Sequence, residues 1–271
     1  YLDNLRGSSI NFIAAALWQA SDFNHVFILN DKEEAAYYLN DLEKMIGDED
    51  VLFYPGSYRR PYQIEDTDNA NVLLRAEVLN RINSRKKPAV IVTYPEALFE
   101  KVVTKKELDK NTLKVAVGDN VSIDFINEVL FEYEFKRVDF ITEPGEFSVR
   151  GGILDVFSFS NDNPYRIEFF GNEVDSIRTF DVESQLSVEK QNKITIIPNL
   201  ENKFIQENRE SFLEYISDKT VLCIENTEFL TAQLDKLFGK AIETFEKLSK
   251  DVKHASPEHL FLNQEGFLRK A

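Results

Sequence analysis

The sequence predicts an α/β protein in which a parallel-sheet domain, split into two stretches of chain, encloses a mostly β segment. Three observations carry this expectation. Residues 7–131 alternate amphipathic helical stretches with short apolar runs; residues 136–198 hold closely spaced strand-like segments cut by Gly, Pro and Asn; and helical periodicity returns after about residue 204. With 271 residues, 43% of them hydrophobic and 12% aromatic, the chain has apolar material for real cores.

In the first stretch, helices are expected to begin near Ser8, Lys32, Asn69, Pro95 and Ser122, and strands at 25–29, 51–54, 89–93 and 113–117. Apolar runs of that length suit strands covered on both faces, as in a parallel sheet. Asn30 and Asp31 can accept hydrogen bonds from the first turn of the second helix, and Gly47 can end it. In the middle stretch, Gly151 and Gly152 mark a hairpin or bulge, and Gly171 with Asn172 a two-residue turn. In the last stretch, 211–216, 228–238 and 241–248 read as helices around a strand at 221–224. The tail from Lys250 reads as a loop and a short terminal segment broken by Pro257 and Gly266. The expected domains are therefore 1–117, a first α/β portion; 118–199, an inserted β domain with a leading helix; and 200–271, a returning α/β portion.

Composition and motifs narrow the chemistry. A net charge of -15 repels phosphate backbones over most of the surface, so weak or no nucleic-acid binding is expected. One cysteine, Cys223, lies in an apolar run and cannot form a disulfide within the chain. With no leader and no apolar span of membrane length, a cytoplasmic location is expected. Gly7, Ser8 and Ser9 precede the first helix, where a phosphate loop would stand, yet no Gly-Lys-Ser/Thr occurs anywhere; Ser8 or Ser9 reads as a helix cap. His25, His254 and His259 lack ligand spacing, so no metal, cofactor or catalytic residue is expected. Tyr58, Arg59, Arg60, Pro61 and Tyr62 form one aromatic-basic cluster, either a solvated loop or a single-strand DNA contact of a helicase accessory domain.

The middle stretch is richest. If 165–170 is a strand, alternation sends Tyr165, Ile167 and Phe169 to one face and Arg166, Glu168 and Phe170 to the other. The same rule on 146–150 turns Phe147 and Val149 inward and Arg150 outward. Two readings stand. Either the arginines pair with Asp155, Glu168 or Glu173 and Phe170 belongs to a second core layer, or Arg150, Arg166 and Phe170 form an aromatic-guanidinium surface of the kind found at interface hot spots. Residues 136–198 carry seven Lys/Arg against eleven Asp/Glu, so these arginines are local elements and not part of a basic stripe.

The run EPGEFSVRGGILDVF, followed by PYRIEFFGNEVDSIRTFD, SQLSV and ITIIP, closely resembles the β domain that UvrB shares with bacterial transcription-repair coupling factors. GSSINFIAAAL, VLFYPGSYRRPY and PAVIVTYPEALFEKV look like the first α/β portion of the coupling factors. Lack of a phosphate loop favours the coupling factor over UvrB. The resemblance implies an amino-terminal UvrB-like module: a degenerate RecA/helicase-like domain in two portions, with an inserted β domain that binds UvrA and carries no catalysis. It assigns the contact to Arg150, Arg166 and Phe170. It further implies that the full-length protein, with other domains for ATP-driven DNA translocation and polymerase binding, recruits nucleotide excision repair to stalled RNA polymerase. Two positions depart from the pattern: Ser158 replaces the usual Pro after DVF, and Leu186 replaces the usual Arg after SQ.

Overall fold

A computed structural model describes residues 9–57, 62, 69–84, 87–159, 161–198, 208–216, 218–248 and 255–270, with the side chains of 69, 70, 73, 83 and 84 set aside. The chain divides into two compact units, one formed by Tyr1–Thr104 with Asn208–Ala271 and the other by Lys105–Glu207.

In the first unit the strands β1 (Asn24–Ile28), β2 (Val51–Phe53), β3 (Val90–Thr93) and β14 (Thr220–Ile224) form a parallel sheet in the order β14-β1-β3-β2. All four residues of β3 are buried, as are four of the five in β1, which is why these runs are apolar without alternation. The helix α1 (Ser9–Gln19) precedes β1, α2 (Lys32–Ile46) and α3 (Asn69–Ser84) connect β1 to β2 and β2 to β3, and α4 (Pro95–Phe99) follows β3. Asp31 caps α2 by accepting the Glu34 amide, and Gly47 ends it at φ 94°, a conformation costly for any residue with a Cβ. Ala35, Tyr38 and Leu42 form its buried stripe, and the Tyr38 ring lies 5.2 Å from that of Phe27. Arg75 of α3 is fully buried: it lies 3.5 Å from the Glu100 carboxylate, donates to the carbonyls of Pro55 and Ala97, and covers the Tyr54 ring at 4.4 Å.

The second stretch of this unit brings β13 (Arg209–Glu210) against β4 (Val102–Val103), then α7 (Phe212–Tyr215) with a reciprocal Ser211–Glu214 capping box. The two helices expected at 228–238 and 241–248 are one helix, α8 (Thr227–Lys247). Gly239 does not break it because Leu230, Leu234 and Ala241 bury one continuous face on either side of the glycine. Pro257 and Gly266 likewise do not break the tail. The proline opens α9 (Pro257–Leu260), where its missing N–H costs nothing, and the glycine lies within α10 (Gln264–Leu268). Phe261 stacks on Phe99 at 4.5 Å and docks this segment on the unit.

The second unit opens with α5 (Lys105–Lys110), which the hydropathy pattern did not anticipate, and β5 (Leu113–Ala116). The strand expected at 113–117 does not join the parallel sheet. It pairs antiparallel with β12 (Lys193–Ile196), Val115 opposite Ile194, so the expected first portion 1–117 reaches into this unit, whose span begins at Lys105. After α6 (Ile123–Glu132), capped by Ser122, come β6 (Lys136–Arg137), β7 (Glu146–Arg150), β8 (Ile153–Val156), β9 (Tyr165–Phe170), β10 (Glu173–Phe180) and β11 (Ser187–Gln191). They form a six-stranded sheet in the order β11-β10-β9-β8-β7-β6, antiparallel except for the parallel pair β6 and β7. Phe147, Leu154, Val156, Ile167 and Ile177 are buried on its inner face, and Phe131 of α6 meets Phe147 edge to face at 5.3 Å.

Candidate functional site

Two hairpins place the candidate site. Gly151 follows β7 at φ 59° and Gly171 follows β9 at φ 62°, each the first central residue of a two-residue turn that favours positive φ there. At Gly152 a Cβ would stand 3.0 Å from the Phe169 carbonyl, so the chains approach too closely for a side chain. These turns fix the register: Asp155 faces Arg166, which faces Arg178, while Ile153 faces Glu168, which faces Ser176. Because opposite residues share a face, Arg150, Asp155, Arg166, Glu168 and Phe170 lie on the face away from the Phe147 core. The alternation expected from the sequence holds here, with Tyr165 and Ile167 buried.

The side chains on this face divide the two sequence readings between them. Phe170 is 83% exposed and is no core residue. The arginines, however, do find an acceptor. Arg150 Nη2 donates to Asp155 Oδ2 at 2.5 Å, and Arg166 donates from Nε and Nη2 to Asp155 Oδ1 and Oδ2 at 2.7 and 2.9 Å. Glu168 takes neither arginine, bonding instead to Arg178 and Ser176 at 2.6 Å each. Asp155 is buried, Arg166 is 15% exposed, and Arg150 is 43% exposed. The Asp155 hydrogen bond holds the Arg166 guanidinium above its ordinary pKa, while the bonds from Arg178 and Ser176 hold the Glu168 carboxyl below its own.

Sequence reading missed three partners on this face. The Arg166 guanidinium covers the Phe180 ring at 4.2 Å and donates to Gln185 at 3.3 Å, and Arg150 sits 5.4 Å from the ring of Phe140, itself 68% exposed. Register with Arg178 would have placed Phe180 on the outer face; Phe140 lies between β6 and β7, outside either strand, so no periodicity reveals it. A recess of about 440 Å³ lies beside this corner, with Arg137, Asp139, Phe140, Ser148 and Arg150 in its wall.

The other candidates resolve differently. Gly7, Ser8, Arg59, Arg60 and His254 lie outside the described residues. Tyr62 is described, and it packs: its hydroxyl donates to the Ala255 carbonyl at 2.8 Å and its ring meets Phe245 and Phe261. Cys223 lies half-buried on β14, and burial pushes its thiol up to about 11, far from the thiolate a nucleophile needs. Among the described residues no group of three or more His, Cys, Asp or Glu could hold a metal ion, and no helix is long and apolar enough to cross a membrane.

Residues 113–201 match the UvrB interaction domain family. Over most of its length the chain is similar to transcription-repair-coupling factors. It is 31% identical to that of Bacillus subtilis over 216 residues, 79% of this chain and 18% of that protein. To the Myxococcus xanthus protein it is 30% identical over 242 residues, 86% of this chain and 20% of that one, and to the Escherichia coli protein 27% identical over 197 residues, 73% and 17%. The chain spans about a fifth of the length of these relatives. Arg150, Asp155, Arg166 and Phe170 all fall inside the matched segment.

Proposed function

We infer that the chain is the amino-terminal UvrB-like module of a transcription-repair coupling factor, acting in the cytoplasm to dock UvrA and so bring nucleotide excision repair to stalled RNA polymerase. Its parallel-sheet unit is a degenerate RecA-like scaffold that holds the inserted β domain and binds no nucleotide, and the module performs no catalysis. Translocation on DNA and polymerase contact belong to other domains of the longer protein.

One observation carries this reading. A phenylalanine 83% exposed shares the outer face of a UvrB interaction domain with two arginines fixed on a buried carboxylate. An aromatic ring left in water forgoes burial worth roughly 1.5–3 kcal/mol, and aromatic and Arg side chains are the commonest hot spots of protein interfaces. The test is retention of UvrA on the immobilised chain. Wild type should retain it and Phe170→Ala or Arg150→Ala should not; equal retention by both folded variants sinks the site assignment. Labelled DNA in the same series should bind weakly, as the net charge of -15 demands.

A further inference from the structure

On the reading that this face docks UvrA, we propose that Asp155 is its positioning residue. It clamps Arg150 and Arg166 before the partner arrives, and the outward donors of Arg150 take a carboxylate of the partner. Asp155 is buried and so does not itself meet a protein docked on the face. Its two oxygens accept three charge-assisted bonds, one from Arg150 and two from Arg166. Arg166 is held further by Gln185 and by the Phe180 ring beneath it. Arg150 has the buried carboxylate on one side and the Phe140 ring 5.4 Å away, and is still 43% exposed.

Two consequences follow from charge and order. The three groups together carry one net positive charge, and the neighbouring Arg178–Glu168 pair adds none. A single acidic group on the partner therefore completes the cluster, against a chain that is otherwise acidic. The clamp also removes guanidinium freedom in the unbound chain, so binding does not have to freeze two long side chains. Replacing Asp155 by Asn sets these effects against each other. It frees the guanidinium groups, which weakens binding, and adds positive charge to the face, which strengthens attraction to an acid. A partner carboxylate held by directed bonds loses more when the guanidinium groups are free to turn than it gains from one further charge, so loss of order dominates.

The experiment is calorimetric titration of UvrA with the full chain as wild type, Asp155→Asn, Asp155→Glu and Arg150→Ala. Asp155→Asn should weaken binding about tenfold while its melting transition stays cooperative, and Asp155→Glu should recover part of that loss. Unchanged or tighter binding by folded Asp155→Asn overturns the proposal. If Arg150→Ala weakens binding in the same series, the reading of the face survives without it; if Arg150→Ala also binds normally, that reading falls and takes this one with it. Binding indifferent to added salt overturns the partner carboxylate. Should Asp155→Asn not fold, nuclear magnetic resonance of the unbound wild type decides. Slow guanidinium rotation at Arg150 and Arg166 supports the clamp, and free rotation at both overturns it.

Discussion

Each unit contains a buried carboxylate against arginine, and the two arrangements differ in what they leave outside. In the parallel-sheet unit, Arg75 and Glu100 are both almost wholly buried. The Glu100 oxygens also accept the Ser57 amide and hydroxyl, and the arginine is bonded to backbone carbonyls. In the β unit, Asp155 is equally buried, but one of its arginines is 43% exposed and the face around it carries a bare phenylalanine. The same pair of functional groups is a staple where its surroundings close over it and leaves a cation open to solvent where they stop short. Burial of the cation, and not the presence of the ion pair, separates the two uses.

The contrast is most easily broken in the first unit. Arg75→Ala removes a buried cation from the Glu100 carboxylate, and should cost about 3–5 kcal/mol by chemical denaturation. A loss under about 1 kcal/mol would mean that water reaches the carboxylate and that the staple is no staple. The second largest effect belongs to the other unit and to binding alone. Phe170→Ala should weaken UvrA binding by about 2 kcal/mol, whereas its stability should stay within about 0.5 kcal/mol of wild type, because the ring has little to lose on unfolding. A comparable fall in stability would place Phe170 among the packing residues.

Much of this arrangement was legible in the sequence where one rule acts alone. Period-two alternation sorted Tyr165 and Ile167 from Arg166 and Phe170, because a two-sided sheet obliges it, and the caps at Asp31 and Gly47 follow from side-chain acceptors and positive φ. The misplacements arise where tertiary contact overrides a local signal. Leu113 to Ala116 has the composition of a parallel strand, yet its partner, Lys193 to Ile196, lies some eighty residues on in the chain and pairs antiparallel, which no local pattern reports. Gly239 reads as a break, but the buried face of α8 outweighs a propensity cost of roughly 1 kcal/mol. At the candidate site, alternation put these side chains on one face but did not give their pairing. That Asp155 serves both arginines while Glu168 turns to Arg178 depends on register set by two glycine turns.

Acidification should separate the units by different groups. His25 is buried at the start of β1, and burial lowers its pKa below the ordinary 6.5. As pH falls through 6.5 the unfolded chain therefore takes up this proton before the folded one, and stability present above that point is lost below it. In the β unit Glu168 is held below its ordinary 4.5, so its contribution is intact above that value and is lost only as pH falls further. Against His25→Gln, the wild type should lose relative stability between about pH 7 and about pH 5, while the difference between wild type and Glu168→Gln should stay flat over that range. A flat His25 difference would show the imidazole charging in place.

The smallest expected effect has the opposite sign. Gly239 lies inside α8 with no positive φ, and a Cβ there would meet no atom within 4 Å. Gly239→Ala should therefore stabilise the parallel-sheet unit by about 0.5–1 kcal/mol, through the smaller conformational freedom of the unfolded chain. Affinity for UvrA should not move, because the site is held by the register of another sheet. Hydrogen exchange along α8, followed beside the binding titration, reads both at once. Slower exchange with unchanged affinity keeps scaffold and recognition face energetically separate, whereas a matching gain in affinity would show that the stability of the first unit sets the readiness of the second.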